Sequence, residues 1–387
     1  MLKVLWLCSW YPNTLDPLRG NFVQRHAQAT SLLNEVHVIK LTADPDAKAV
    51  NKVTRSFQQW PNLKETFIYY PKPNSFIGKT VAYLRWYSLY KYAVENYIEK
   101  NGKPDLVHVH IPHKAGAIAR LIKRKYKIPF VVTEHWGGYN NEVENNYKER
   151  DYAFRSLVKD TLKAASGLHT ASGFLGEQIN RVVTKIPFTV IQNAVNTKYF
   201  NYSPSENNSG KFRLIHVSDG DSEKNIPGII DAFQRLDGDH FDFKIIGLAE
   251  EQNELLGRMY PFIDFTGKVP TRDISDFLNN ADALVRFSNM DNSPGIVAEA
   301  LCCGVPVIAT NVGGMVELID LNNGLLVNPR NVEQLVDAIQ QIALNIKSYN
   351  KNQIAEIAAD KFSYNQIGFE TDLWYKSVLL SVEERKT

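Results

Sequence analysis

Residues 291–314 read DNSPGIVAEALCCGVPVIATNVGG. A short apolar run, DALVRFS, precedes this stretch at 282–288, and a second one, VPVIAT, lies within it at 305–310. Two such runs separated by a helical pattern are typical of a β-α-β unit in a parallel sheet. The Ser-Pro-Gly sequence before the helix predicts that Ser293 is its N-cap and Pro294 its first residue.

The start of this predicted helix has the composition of an anion site. The amides of Gly295, Ile296 and Val297 would be free there, and the helix dipole would add positive potential. Two carboxylates, Asp291 and Glu299, flank the site, where they would repel phosphate but could accept hydrogen bonds from sugar hydroxyls. The combination favours a ligand that is both phosphate and sugar, such as a nucleotide sugar. Taken singly, the two acids also fit a turn former and an exposed helix residue.

The same alternation of apolar runs and helical patterns extends over most of the chain. One series runs from KVLWLCS at 3–9 to FTVIQNAV at 188–195. A second series runs from FRLIHVS at 212–218 to NGLLVNP at 323–329. Two doubly wound α/β halves of similar size are therefore expected.

The composition also predicts where the domains meet. Residues 1–196 form the expected N-terminal domain, and 212–364 form the expected C-terminal domain. The segment 197–211 between them is polar, rich in Asn and Ser, and without periodicity, which is typical of a linker. The last segment, 364–382, is helical and aromatic in pattern and is expected to dock on a surface outside its own domain.

Charge and cysteine content restrict the partners and the compartment. The chain of 387 residues has a formal net charge of +2, which argues against a nucleic-acid partner. The three cysteines, an odd number, do not suggest a disulfide framework, so a reducing compartment is expected; they are Cys8, Cys302 and Cys303. We interpret the start, MLKVLWLCSWYP, as a buried strand and not a signal peptide. With no apolar run long enough for a membrane span, a cytoplasmic protein is expected, with the option of contact at the inner membrane face.

The stretch 60–103 is rich in Trp, Tyr and Phe, with Lys and Arg between them. A helix that packs its aromatic residues on the sheet, with solvated lysines outside, would explain this composition. Basic residues with Trp and Tyr also suit the headgroup region of a membrane. The stretch is therefore open to two interpretations: core packing, or a surface for an acceptor or for peripheral membrane contact.

Taken together, these stretches resemble the retaining GT-B glycosyltransferases of family 4, the large group-4 family. DNSPGIVAEALCCGVPVIAT is similar to the E-x7-E region of that family. The other similar pieces are, in chain order, SWYPNTLDPLRGNFVQRHA, PDLVHVH, VVTEH, VIQNAVNTKYF, HVSDGDSEKN, FTGKV and GGMVELIDLNNGLLVNP. The resemblance covers essentially the whole chain. It implies an α/β fold with two Rossmann-like, doubly wound domains facing each other across a cleft, and a C-terminal helix at 365–387 that crosses back to the first domain.

The resemblance also implies roles for individual residues. Glu299 would bind the ribose hydroxyls of the donor, and Asp291 would contact the transferred sugar. Lys224 would bind the diphosphate and stabilise the leaving group. His135 would approach the sugar from the first domain. The other residues expected around the donor are Gly20, Ser218, Val269, Arg286, Gly295, Ile296 and Val297.

Two positions depart from the family pattern. Asp291 stands where the family usually has Glu, so its carboxylate has a shorter reach to the sugar. Asp219 stands where the family often has an Arg, so one phosphate-binding cation is missing. Lys224, the helix start and Arg286 would then have to neutralise the diphosphate.

The expected function is transfer of a sugar, a hexose, from a UDP- or GDP-sugar to a growing glycan, with retention of configuration. No metal and no cofactor are expected. The acceptor would be a lipid-linked cell-surface polysaccharide or oligosaccharide. The alternative is a binding or partner subunit of GT-B shape that has lost catalysis, which the departures at Asp219 and Asp291 leave open. An isomerase acting on a nucleotide sugar would need acidic groups beside the hexose that the sequence does not place.

Two patterns suggest metal binding on their own. DGD at 219–221 has the D-x-D form of metal-dependent glycosyltransferases of another fold, but it is also a common turn composition. HVHIPH places His108 and His110 on one face of a strand, with His113 following and His135 as a fourth candidate for zinc. Histidines of a core or cleft are the other interpretation. A G-x-G-x-x-G after the first strand and a G-x-x-x-x-G-K-[ST] are both missing from the sequence, which argues against NAD enzymes and P-loop NTPases.

Overall fold

The computed structural model describes residues 1–72, 78–203 and 210–385. Its N-terminal half contains a sheet of eight strands in the order β3-β4-β2-β1-β5-β6-β7-β8, parallel except for the pair β3 and β4. The strands are β1 (Lys3–Cys8), β2 (Glu35–Asp44), β3 (Asn51–Ser56), β4 (Leu63–Pro71), β5 (Leu106–His110), β6 (Phe130–Glu134), β7 (Gly167–Thr170) and β8 (Phe188–Val190). The helices of this half are α1 (Asn21–Thr30), α2 (Lys79–Asn101), α3 (Ala115–Tyr126), α4 (Tyr152–Ala164) and α5 (Gly173–Val182).

The C-terminal half contains a parallel sheet of six strands in the order β11-β10-β9-β12-β13-β14. The strands are β9 (Phe212–Val217), β10 (Phe241–Ile246), β11 (Ile263–Thr266), β12 (Ala283–Arg286), β13 (Val307–Thr310) and β14 (Gly324–Val327). The helices are α6 (Ile226–Gln234), α7 (Glu250–Met259), α8 (Ile274–Asn279), α9 (Gly295–Cys302), α10 (Val332–Leu344) and α11 (Lys351–Phe362), followed by α12 (Tyr364–Glu384).

Each sheet is buried on both faces, which explains the continuous apolar runs of the sequence. In β1, Leu5 and Leu7 pack with α2 and α3 on one face, whereas Val4 and Trp6 pack with α1 and α12 on the other. The strand order reverses beside β1 in the first sheet and beside β9 in the second. Ligands of such sheets bind at the carboxyl ends of the strands where the order reverses, so two binding edges are expected.

The terminal helix packs on the N-terminal half although it follows the C-terminal sheet. In α12, Gly368 lies against the backbone of Ala29 in α1, where a Cβ on the glycine would come 2.3 Å from the Ala29 carbonyl oxygen. Tyr364 donates from its hydroxyl to Gln28 Oε1 at 2.9 Å. The expected docking of the last segment outside its own half is thus observed. Residues 386–387 of the predicted helix, and 204–209 of the predicted linker, lie outside the described residues, and the domain boundaries stay predictions.

Most described aromatic residues of the stretch 60–103 belong to the core. The buried ones are Trp60, Phe67, Tyr69, Tyr70, Trp86, Tyr90 and Tyr97. Tyr92 is 70% exposed, and the apolar side chains Val81 and Leu84 are also exposed on α2. Residues 73–77, which include Phe76, lie outside the described part. Core packing therefore accounts for most of this composition. Within the described residues, none of the helices combines the length and the apolar character needed to cross a membrane.

Candidate functional site

A cavity of about 570 Å³ lies between the two halves, at the expected edge of both sheets. The N-terminal half contributes residues from the loop after β1, from α1 and from the loop after β6; they include Trp10, Asn21, Phe22, Arg25, His135 and Trp136. The C-terminal half contributes residues around the start of α9 and the loop after β9; they include Asp219, Lys224, Asp291, Asn292, Gly295 and Glu299. The expected cleft and four predicted site residues, Lys224, Asp291, Glu299 and His135, therefore meet in one cavity.

Helix α9 begins differently from the sequence prediction. Its first residue is Gly295, and Pro294 occupies the N-cap position with extended dihedral angles, φ −69° and ψ 116°. The prediction of Ser293 as the N-cap is therefore wrong. Ser293 instead contacts the N-terminal half: its carbonyl accepts a hydrogen bond from Asn193 Nδ2 at 2.9 Å, and its hydroxyl donates to Gln192 Oε1 at 3.4 Å. Ser293 therefore contacts Asn193 and Gln192 across the cleft instead of capping α9.

The open end of α9 is nevertheless suited to an anion. Among the described residues, no side chain caps the helix, and none has an atom within 4 Å of where a Cβ of Gly295 would lie. The amide of Val297 donates to the Pro294 carbonyl at 3.1 Å, and its side chain is fully buried. The free first-turn amides of this structure are therefore those of Gly295 and Ile296, with the helix dipole behind them.

Asp291 lies between two cations. Its Oδ2 accepts hydrogen bonds from Lys224 Nζ at 3.1 Å and from Arg286 Nη2 at 2.7 Å. Burial by itself would raise the pKa of the Asp291 carboxyl, but the two neighbouring cations outweigh burial and hold that pKa below its ordinary value. Arg286 is 4% exposed and also donates to the Val217 carbonyl at 3.0 Å. It lies beneath Asp291 and does not line the cavity, so its contact with a donor is indirect.

Glu299 is paired with a residue that the sequence analysis did not identify. The Oε1 atom of Glu299 accepts a hydrogen bond from Arg25 Nη1, on α1 of the opposite half. The side chain of Arg25 is 12% exposed and that of Glu299 is 7% exposed. The pair therefore crosses the cleft as a largely buried ion pair, beside the open end of α9.

A glycine pair supports the turn that carries Asp291. Gly313 has φ +58°, and a Cβ there would lie 1.7 Å from the Asp291 carbonyl oxygen. The next residue, Gly314, donates from its amide to that same carbonyl at 3.0 Å. Only glycine allows this approach together with this dihedral angle. The Gly-Gly sequence thus positions the turn at 291–292 and is not itself a phosphate loop.

His135, which is partly exposed at the cavity, belongs with four buried histidines of the N-terminal half to a group that we call the histidine cluster. It consists of His26, His108, His110, His135 and His169. Burial lowers the pKa of His26 to about 4 and of His169 to about 3, and it holds the pKa values of the other three well below the ordinary value. These rings are therefore neutral near pH 7.

The backbone of His135 is fixed by the preceding residue. Glu134 Oε1 accepts hydrogen bonds from the amides of His135 and Trp136 at 2.8 and 2.9 Å, and Oε2 accepts one from the Tyr139 hydroxyl at 2.5 Å. Burial raises the pKa of the Glu134 carboxyl to about 7. Glu134 thus holds the loop that presents His135 and Trp136 to the cavity.

Besides Arg286 and Val297, three more predicted donor residues do not line the cavity. Gly20 has φ +75°, and a Cβ there would lie 2.8 Å from the Trp10 backbone, so it allows the loop that places Trp10 in the wall. Ser218 uses its hydroxyl in a 2.8 Å hydrogen bond with His216. Val269 packs against the core of the C-terminal half. Their predicted donor contacts stay predictions.

Acidic residues dominate the loop after β9. Asp219, Asp221 and Glu223 all line the cavity near Lys224. Burial, followed by the charges of Asp219 and Glu223, raises the pKa of the Asp221 carboxyl. In the part of the chain that the structure describes, no group of three or more His, Cys, Asp or Glu side chains has an arrangement suited to a metal ion. This holds for the DGD sequence and for the histidine cluster alike.

Comparison with known families gives the same picture. Residues 21–199 match the family model described as Glycosyltransferase Family 4, and residues 200–358 match the one described as Glycosyl transferases group 1. The chain belongs to the family 4 glycosyltransferases. The GT-B fold expected from the resemblance is thereby confirmed.

Individual relatives of this glycosyltransferase are distant. TuaC of Bacillus subtilis (strain 168), named as a teichuronic acid biosynthesis glycosyltransferase, is 24% identical over 393 residues, or 95% of each chain. A sucrose-phosphate synthase structure from Thermosynechococcus elongatus aligns with a TM-score of 0.77 and 18% identity, over 98% of this chain and 100% of the other. HepE of Anabaena, solved in complex with UDP-glucose, aligns with a TM-score of 0.70 and 18% identity, over 97% and 100%. The two solved structures share the fold.

Arg25 is the main residue of this glycosyltransferase that sequence reasoning missed. A signal for it exists: α1 begins directly after the glycine loop, and Phe22 and Arg25 are three positions apart on one face of its first turns. A helix that starts at the carboxyl end of β1 presents those turns to the cleft. Asn193, which contacts Ser293, has no comparable signal because it lies in a loop.

Proposed function

We propose that this glycosyltransferase transfers a hexose from a UDP- or GDP-sugar to a growing glycan with retention of configuration and without a metal ion. One observation carries the proposal. The ammonium of Lys224, the open first turn of α9 and the carboxylate of Glu299 converge on one cavity between the halves. A nucleoside diphosphate sugar has an anionic centre and hydroxyl-bearing ends, and this arrangement offers partners for each.

The diphosphate is best placed at the start of α9. The amides of Gly295 and Ile296 point their donors there, and the missing Cβ of Gly295 lets phosphate oxygens approach the backbone. Lys224 adds a positive charge, which its hydrogen bond to Asp291 positions. Since Asp291 is one carboxylate between two cations, the three side chains carry a net positive charge of one that can meet the diphosphate. We assign the ribose hydroxyls to Glu299 and the transferred sugar to Asp291 and His135.

The reaction requires few proton transfers. The acceptor hydroxyl oxygen forms a bond to the anomeric carbon while the bond between that carbon and the diphosphate oxygen breaks, and the electron pair leaves with the diphosphate. The acceptor proton passes to an oxygen of the departing diphosphate. Attack on the face from which the diphosphate leaves gives retention. Preorganised donors at Lys224 and α9 stabilise the negative charge that develops in the transition state, which is the main catalytic contribution here.

A catalytically inactive binding or partner subunit is the second candidate. The observation that favours it is the acidic loop after β9, where Asp219, Asp221 and Glu223 face the cavity. Like charges near a diphosphate weaken its binding. Such a subunit would bind nucleotide or a protein partner without releasing product.

The acceptor side of the proposal includes a peripheral membrane contact through α2. Val81, Leu84 and Tyr92 are exposed there by 53, 56 and 70%, with the exposed Arg85 between them. Apolar side chains with cations suit an anionic lipid surface. The double variant Leu84→Glu/Arg85→Glu should therefore cosediment with phosphatidylglycerol vesicles less than the wild type does. Unchanged cosedimentation would remove this part of the proposal.

The test of the donor site is a calorimetric titration of the full chain with UDP, GDP, ADP, CMP and their common sugars, with and without EDTA. We expect one nucleotide to bind, equally with EDTA, and Glu299→Gln to weaken that binding. Nucleotide release on adding acceptor separates the transferase from the inactive subunit. If no nucleotide binds, the donor assignment fails; if binding needs a divalent cation, metal independence fails.

A further inference from the structure

A second cavity, which we call the Lys40 chamber, lies in the N-terminal half beside the cleft. It has a volume of about 500 Å³ and is bounded by the loop after β1, the end of β2 and helix α2. Trp10 lines both this chamber and the cleft cavity. The two cavities therefore adjoin at Trp10.

The chamber contains a buried cation without an acidic partner. Lys40 is 9% exposed, and its ammonium donates to the Ser9 carbonyl. Over the described ranges, no carboxylate lies within ion-pair distance of Lys40. An ammonium has three donors, so two remain for other partners. A buried charge of this kind is costly unless something compensates it.

The surroundings of Lys40 increase the positive potential. Arg19 and Lys114 also line the chamber, with Asp16 as its single acidic side chain among the lining residues of the described chain. Burial lowers the pKa of the Lys40 ammonium to about 8, and the charges of Arg19 and Lys114 act in the same direction. Lys114 has φ +62°, an uncommon angle for a residue with a side chain.

Aromatic side chains form the rest of the wall. Trp86 and Tyr90 of α2 are buried and line the chamber, and the Lys114 ammonium lies 6.0 Å from the centre of the Trp86 ring. Arg19 lies 5.7 Å from the centre of the Trp10 ring. Apolar walls with a few converging polar groups are typical of small-molecule sites.

We propose that the Lys40 chamber binds the acceptor sugar through an anionic group, a phosphate or a carboxylate, that accepts hydrogen bonds from the Lys40 ammonium. This inference rests on the proposed function and adds a substrate class to it. Lys40 is then a specificity-determining residue: a neutral sugar would leave its charge buried and uncompensated, which penalises the neutral sugar.

A purely structural role is the competing explanation, because Lys40 also ties the Ser9 carbonyl in the loop after β1. The chain offers a matched control. Lys123 is a half-buried lysine that donates to a backbone carbonyl, that of Ala164, at 2.7 Å, and it does not line the chamber. A variant at Lys123 loses a comparable bond without changing the chamber.

The experiment is a calorimetric titration of the full chain at pH 7 with glucose, glucose 6-phosphate and glucuronate. We expect at least one anionic sugar to bind about ten- to a hundredfold more tightly than glucose, the effect of one charge-assisted hydrogen bond. Preference for the phosphate alone indicates a phosphorylated acceptor, and preference for glucuronate alone indicates a uronic acid. Lys40→Met should abolish the preference, whereas Lys40→Arg and Lys123→Met should retain it.

Equal binding of the three sugars, no binding of any of them, or an unchanged preference in Lys40→Met would overturn the inference. If Lys40→Met does not fold, the wild type decides: the preference must weaken between pH 7 and pH 9.5, as the Lys40 ammonium loses its proton. A parallel titration with UDP and GDP separates the two proposals. Nucleotide binding without discrimination among the sugars refutes the chamber alone, and no nucleotide binding refutes the donor site.

Discussion

The ion pair between Arg25 and Glu299 makes a quantitative prediction. Arg25→Met removes the guanidinium while keeping most of the aliphatic volume, and it leaves the 7% exposed Glu299 side chain without the cation that pairs with it in the described part of the chain. Two unit charges 4 Å apart attract by about 4 kcal/mol at an effective dielectric constant of about 20. Breaking a buried pair from one side typically costs about 3–5 kcal/mol because the remaining charge stays desolvated. We expect Arg25→Met to lower the free energy of unfolding by about that amount.

A double-mutant cycle isolates the pair. Glu299→Gln and the double variant complete the cycle, and urea unfolding followed by tryptophan fluorescence measures each protein. We expect the double variant to be more stable than the sum of the single losses predicts, by about 1–3 kcal/mol. The control is the pair of Arg330 and Glu142, which also joins the two halves at 2.7 Å, but with side chains 67% and 53% exposed. Arg330→Met should cost less than about 1 kcal/mol because water screens that pair.

Two results would refute this reasoning. If Arg25→Met costs no more than Arg330→Met, burial of the pair has no energetic consequence. If the losses of Arg25→Met and Glu299→Gln are simply additive, the two side chains do not interact in solution.

Three further predictions concern catalysis, backbone strain and pH. In a nucleotide-release assay, Lys224→Met should depress turnover by about a hundredfold or more. Lys244→Met, which removes an ion pair outside the cavity, should leave turnover unchanged. Near-normal turnover of Lys224→Met would contradict the leaving-group role. Gly313→Ala should lower the free energy of unfolding in urea by more than Gly102→Ala does. Both glycines have positive φ, but of the two only Gly313 would place an added Cβ against a backbone oxygen. Equal losses of stability would mean that the turn adapts. Stability should fall as the pH drops from 6.5 to 5.5, because unfolded histidines bind protons near pH 6.5 whereas those of the histidine cluster have lowered pKa values and stay neutral. The five histidines of the cluster, with the raised pKa of Glu134 acting in the opposite direction, give a loss on the order of 4 kcal/mol, and the lowered pKa values of His37, His113 and His216 add to it. A flat urea stability profile over this range would contradict the burial of the cluster.

Local patterns of the sequence were sufficient for the fold. The apolar runs at 3–9 and 282–288 correspond to β1 and β12. A strand that is buried on both faces needs continuous apolar residues, and this pattern is visible in the sequence of the strand itself. The helical pattern after Pro294 corresponds to α9, and this pattern too is visible within the segment itself. The sequence placed the Glu299 carboxylate beside the start of α9, because a helix that starts at a strand's carboxyl end presents its first turns to the crevice, and the family resemblance implied the cleft between the two halves.

The tertiary structure alone decided how the two halves meet, and with that the state of each site residue. Arg25 pairs with Glu299, which is 274 positions away in the sequence. Asn193 donates a hydrogen bond to Ser293, which is 100 positions away, and Ser293 does not cap α9. Neither partner is visible in a window of one helix or strand. The burial of Lys40 likewise depends on the loop after β1, β2 and α2 closing around it. Periodicity and capping act over a few residues, whereas charge pairing, desolvation and the resulting pKa values depend on which distant surfaces come together.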